Sequence, residues 1–149
     1  MAQQEKDILQ DALDGLRAAI TRKVVGVPEP DVRMPGVQSG TNLLGLVKHL
    51  TAVERFYLLG EPVRSWPRTF KPTDDETVES VLAGYQQAIE QANEVIARWT
   101  DLDQAAQGPP KKGPKPSRRW VLVHLIEETG RHAGHADILR ERIDGATGK

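Results

Sequence analysis

The sequence contains no cysteine. That absence excludes disulfides, thiolate zinc sites and cysteine nucleophiles, although a missing residue reports no redox compartment. Any thiol chemistry here has to use a thiol brought by a ligand. A net field is also lacking: 20 lysines and arginines against 21 aspartates and glutamates leave a charge of -1. No global potential therefore recruits nucleic acid or an anionic membrane, and neither is expected as a partner. No apolar run approaches the ~18 residues of a membrane span. The opening Met1 to Asp7 has no basic start followed by an apolar core, so a soluble, cytoplasmic protein is expected. Internal repeats, a glycine-rich phosphate loop, a nucleophile elbow and a convincing strand alternation are missing as well.

What is present is helical periodicity. The 149 residues suit one domain spanning 1–149, and a chain this long buries roughly 68–70% of its unfolded surface. Ile8, Leu9, Ala12, Leu16, Ala19 and Ile20 predict a first helix over Glu5 to Val24. Prolines 28, 30 and 35 with glycines 26, 36 and 40 make Val25 to Gly40 a loop. Thr41 is the expected cap of a second helix that carries Leu43 to Leu58 and stops near Gly60-Glu61-Pro62. The connection Glu61 to Thr73 holds three prolines together with Trp66 and Phe70. Its aromatics are expected to anchor the crossover, with a lid over one end of a bundle as the alternative. Thr73-Asp74-Asp75-Glu76 is expected to open a third helix, which runs through Val78 to Trp99 without inward chemistry. A proline- and glycine-broken stretch, Gly108 to Pro116, reads as a mobile, solvated loop. Lys111, Lys112 and Lys115, with Arg118 and Arg119, form the one basic cluster there. Ser117 then caps a fourth helix ending near Gly145. Four amphipathic helices predict an all-α four-helix bundle, and two long connections leave simple up-down-up-down order open.

The chemistry concentrates in the second and fourth helices. At about 100° per residue, with His124 set at zero, Val121 and Leu139 fall near 60° and Leu125 and Ile143 near 100°. Glu128 falls at about 40° and His132 at about 80°, inside this apolar stripe, whereas Glu127 and Asp137 fall near 300° and 220°, on the solvent side. An inward carboxylate calls for a compensating cation. On the second helix the same geometry turns His49 inward, with Leu46, Val53 and Tyr57. Bringing the two helices together gives His49, Glu128 and His132. Two imidazoles and one carboxylate form a known three-ligand arrangement for catalytic zinc that leaves a position open. His135, at the edge of the stripe, is an outer-shell base or a substitute ligand, and His124 a packed or half-exposed histidine. Arg131, not histidine, stands three residues after Glu128, which excludes a ferritin-like di-iron pair, and no His-Glu-x-x-His run occurs. One metal is expected.

The segments Leu46-Val47-Lys48-His49-Leu50-Thr51-Ala52-Val53-Glu54-Arg55-Phe56-Tyr57 and Trp120 to Arg140, with Glu127-Glu128-Thr129-Gly130-Arg131-His132-Ala133-Gly134-His135 at its centre, resemble the DinB-like superfamily. The branch they are most similar to includes the mycothiol-dependent maleylpyruvate isomerase metal-binding domain. The resemblance spans nearly the whole chain. It implies a DinB/YfiT-like bundle with a crossover between the second and third helices, a homodimer, and a divalent ion held by His49, Glu128 and His132. Many members carry histidine where Glu128 stands. The glutamate adds negative charge, weakens the ion as a Lewis acid, and matches the thiol-handling branch.

Zn2+ is the expected ion, with Ni2+, Mn2+ and Fe2+ as alternatives. The expected activity is an S-transferase in which the ion lowers the pKa of a small thiol. That thiol attacks an electrophile, and His135 or a water moves the proton. Mycothiol as the thiol rests on the resemblance alone. The same ligands would also serve a hydrolase that activates water. A fourth ligand from His135 would point instead to a non-catalytic metal-binding or dimerising module.

Overall fold

The structure, a computed structural model, describes residues 2–108 and 113–148. It contains α1 (Ala2–Val24), α2 (Leu43–Leu59), α3 (Trp66–Thr69), α4 (Val78–Ala97) and α5 (Arg118–Asp144), with a single 3-10 turn at Asp31–Arg33. The four long helices are those expected from the apolar periodicity. Among the described residues no strand forms, and the one isolated antiparallel bridge joins Ala105 to Ser117. No helix among them is long and apolar enough to cross a membrane.

Side-chain pairs fix the helix directions. Glu5 meets Arg119 at 2.8 Å and Lys23 meets Asp137 at 3.4 Å, so α1 and α5 run the same way. Lys48 meets Glu76 at 2.7 Å and Arg55 donates to Gln91 at 3.2 Å, so α2 and α4 also run together. Between these pairs the sense reverses, because His49 faces His132 whereas Tyr57 faces Trp120. The bundle is therefore up-down-down-up. Two successive helices that run in parallel force the chain to travel back along the full length of α2, roughly 26 Å at 1.5 Å per residue. This return is the expected crossover, and α3 lies in it.

Two apolar clusters fill the bundle. One gathers Ile20, Leu43, Leu50, Tyr85 and Leu139, and the other Leu13, Val53, Leu58, Ile96 and Leu125. At their boundary lies a buried ion pair: Nε and Nη2 of Arg17 donate to the two carboxylate oxygens of Glu54, each at 2.7 Å. Arg17 also reaches Asp14 at 2.8 Å and Asn93 at 2.7 Å. Burial disfavours the charged guanidinium, but the hydrogen bonds and charge of Glu54 outweigh it and raise the pKa of Arg17 above its ordinary value. The expectation that the third long helix carries no inward chemistry is thus corrected by Asn93 and by the buried Tyr85 hydroxyl beside this pair.

Helix ends depart from the sequence expectations in two places. Asn42, not Thr41, caps α2, accepting from the Gly45 amide at 2.8 Å. Thr73 to Glu76 form a turn, and α4 starts instead at a capping box in which Thr77 and Ser80 satisfy each other's amides. Both corrections have the same cause: a cap needs a side-chain oxygen at the residue where the backbone turns helical, and nearby Thr or Asp residues compete for that place. Ser117 and Gly145 bound α5 as expected, with Gly145 in the left-handed conformation at φ 77°. The loop before α5 is more structured than expected. Ala106 donates to the Pro116 carbonyl at 2.9 Å and Arg118 to that of Gln104 at 2.8 Å. Arg118 also lies over Trp99 and Arg119 is paired with Glu5 and Asp103. Pro109 to Lys112, part of the expected mobile basic stretch, lie outside the described residues.

Candidate metal centre

His49 projects from the middle of α2 and Glu128 and His132 project from successive turns of α5. The inward angles read from the sequence therefore meet across the antiparallel α2/α5 face. Both imidazoles are buried, at 5% and 7% exposure. The Glu128 side chain is 26% exposed, so it stands at the mouth and is less buried than expected. One oxygen of its carboxylate, Oε2, lies 3.5 Å from His49 Nε2 and 3.5 Å from His132 Nε2. These separations exceed the ~2.9–3.0 Å of a good N–H···O bond. Donors placed about 2.0–2.2 Å from a tetrahedral ion stand about 3.4 Å apart. All three donors lie within 4.8 Å of one another, so the group could hold a divalent ion.

The ring nitrogens are oriented for that role. His49 Nδ1 lies 2.8 Å from Thr69 Oγ1, and that hydroxyl donates its own hydrogen to the Trp66 carbonyl at 2.6 Å. With its hydrogen committed, Thr69 can only accept, so Nδ1 carries the proton and Nε2 presents a lone pair to Glu128. Phe70 stacks on the same ring, with centroids 3.8 Å apart and planes 13° apart, and Trp66 meets its edge at 5.9 Å. The aromatics of the crossover therefore do more than anchor it: they hold and cover His49. This close approach depends on Gly45, where a Cβ would overlap the Phe70 carbonyl oxygen.

His132 Nδ1 faces His135 Nδ1 at 3.3 Å. His135 itself is exposed and stands outside the three-donor group. Burial lowers the pKa of His49, partly offset by Glu128, and burial followed by repulsion from His49 lowers that of His132 to about 4. Both rings are neutral at pH 7, the state that a metal ligand requires. His124 is half-buried and outside the three-donor group, stacked on Trp120 at 4.6 Å and edge-on to Tyr57 at 4.8 Å.

Two clefts open onto the centre and share His49 and Glu128. One, of about 380 Å³, is lined by Thr41, Arg131, His132 and His135, and the other, of about 250 Å³, by Val53, Tyr57, Trp66 and His124. Thr69, Phe70, Gly45 and Arg131 were not singled out as site residues from the sequence. Only Trp66 and Phe70 carried a signal, as aromatics in a proline-rich connection, because Thr69 matters solely through where α3 is folded back.

A family model described as mycothiol-S-transferase matches residues 8–145 of the chain. No curated protein matches it.

Proposed function

Because this chain belongs to the mycothiol-S-transferase family, and with it to the DinB-like superfamily, we propose that it transfers a small thiol of the mycothiol type to an electrophile with the help of one divalent metal ion. The observation that carries the reading is the convergence of His49 Nε2, His132 Nε2 and a Glu128 oxygen, with the first nitrogen freed by the Thr69 hydroxyl. These three side chains would hold the ion, and the nitrogen and oxygen donor set suits Zn2+, with Ni2+, Mn2+ or Fe2+ also accepted. A divalent cation in this place supplies the positive charge that makes a thiol acidic at neutral pH.

The chain's own residues supply the remainder. Glu128 offsets one of the two positive charges and, at the mouth of the centre, leaves the thiol proton a path to water. Phe70 and Trp66 shield His49 from solvent on the crossover side. Held to an ion through Nε2, His132 would carry its proton on Nδ1 and could donate it to His135 Nδ1, 3.3 Å away. His135 then keeps a hydrogen on Nε2 and acts as a donor towards charge that develops on a departing group, not as a base. No cysteine competes as nucleophile, so the reacting sulfur is the cofactor's own.

The test is metal content by mass spectrometry on untagged protein, followed by conjugation of mycothiol to monochlorobimane. About one equivalent of metal in wild type, its loss in His49→Ala and His132→Ala, and conjugation that follows metal content support the proposal. Protein that takes up no metal on reconstitution, or conjugates equally without it, overturns it.

A further inference from the structure

The two clefts beside the three donors differ in chemistry. The larger holds a guanidinium, a hydroxyl and an exposed imidazole from Arg131, Thr41 and His135, beside Leu46 and the Phe70 ring that is stacked on His49. Arg131 makes no ion pair among the described residues, so its charge is available to a ligand. In the smaller cleft, the walls beyond the shared His49 and Glu128 are Val53, Tyr57, Trp66 and His124. They contribute an isopropyl group, a phenol, an indole and an imidazole, with no carboxylate, guanidinium or ammonium among them. The rings are fixed relative to one another: His124 is stacked on Trp120 at 10° and meets Tyr57 at 62°, and Trp66 is braced against Phe56 at 72°. An array of ring faces and edges set at wide angles favours another planar π system, through stacked and edge-to-face contacts. At about 250 Å³ the cleft is larger than the ~150 Å³ cavity known to take benzene. It therefore has room for one substituted ring.

We propose that the Tyr57–Trp66–His124 cleft is the electrophile's subsite and selects a planar, uncharged aromatic or conjugated group, leaving the Arg131 side to the polar body of the thiol. The inference rests on the thiol-transfer reading for the name electrophile, while the binding preference of the cleft stands on its geometry alone. A ring seated there lies directly beside His49 and Glu128, within reach of a sulfur entering from the other cleft. In the reaction the thiol loses its proton to water and a carbon–sulfur bond forms. The bond from that carbon to its leaving group breaks, and the leaving group departs with the electron pair.

The probe is 1,3-dinitrobenzene, which has the planar shape but no leaving group. Its binding to metal-free protein is followed by saturation-transfer NMR. Wild type is expected to bind it at least tenfold more tightly than it binds methyl cyclohexanecarboxylate, a non-planar match in size. Trp66→Leu and His124→Leu are each expected to weaken binding at least tenfold, Trp66→Phe to restore most of it, and Arg131→Gln to leave it within twofold. His124→Leu, at a half-exposed position, carries the test if Trp66→Leu does not fold. Equal binding of the two probes, or wild-type affinity in His124→Leu, overturns the proposal. Probe binding as expected without any mycothiol conjugation removes the thiol-transfer reading and leaves the aromatic subsite standing. Conjugation without planar preference removes the subsite alone.

Discussion

Replacing Thr69 by valine tests whether the crossover sets the chemistry of the centre. Valine matches threonine in shape but puts a methyl group where the hydroxyl accepts from His49 Nδ1 at 2.8 Å. The His49 ring is 5% exposed and stacked against Phe70, so water cannot easily replace the lost acceptor. Two outcomes compete within the variant: a buried N–H without a partner, or a ring that moves its proton to Nε2 and loses the lone pair facing Glu128. Either weakens metal binding. Loss of an outer partner of this kind costs about 10–100-fold in affinity, or roughly 1.4–2.7 kcal/mol. Zn2+ affinity is measured by competition with a chromogenic chelator, and thermal unfolding of the metal-free protein serves as the control for folding. Thr69→Ser, which keeps the hydroxyl, is expected within threefold of wild type. A Thr69→Val protein that folds normally and binds Zn2+ within twofold of wild type would refute the reasoning, because His49 would then be oriented by something else.

Three further expectations follow from the packing. Gly45→Ala gains helix propensity but drives a Cβ into the Phe70 carbonyl, a rigid backbone atom; a net loss of about 1–3 kcal/mol in stability and weaker Zn2+ binding are expected, by urea unfolding and chelator competition, and wild-type behaviour in both would sink the claim. Arg17→Met leaves Glu54, 1% exposed, without its cation, at a cost of about 3–5 kcal/mol in urea unfolding, whereas the Arg17→Met/Glu54→Leu double variant recovers most of it; a single variant that loses under about 1 kcal/mol contradicts this. Burial raises the pKa of Tyr85 above its ordinary 10.0, and its hydroxyl has no hydrogen-bond partner among the described residues. The native state therefore keeps the neutral phenol where the unfolded chain has begun to ionise, and stability present below pH 10 is lost as pH rises, by up to about 1.4 kcal/mol per pH unit. Tyr85→Phe is expected to be as stable as wild type or more so at pH 7 and to lose less stability than wild type between pH 10 and 11. Parallel alkaline limbs for the two proteins would refute the assignment.

The sequence by itself determined the four long helices and the inward trio. Apolar spacing repeats once per turn, and a helix converts spacing directly into direction, so Glu128 and His132 could be turned inward and Glu127 outward by angle alone. The same rule held the signal for Arg17, which sits four residues after Leu13 and three before Ile20, and for Glu54 between Leu50 and Leu58, all buried. A charge inside an apolar stripe asks for a partner, but nothing local says which helix brings it. What only the tertiary structure decided was whatever depends on two segments meeting: the parallel pairing of α2 with α4, the Arg17–Glu54 pair, the fold-back of α3 that sets Thr69 and Phe70 against His49, and the division of the centre's approaches into a polar and an aromatic cleft. The physical reason is range. Periodicity reports the face that one helix buries, whereas a hydroxyl in a proline-rich connection acquires its partner through loop closure and side-chain packing across residues distant in the chain.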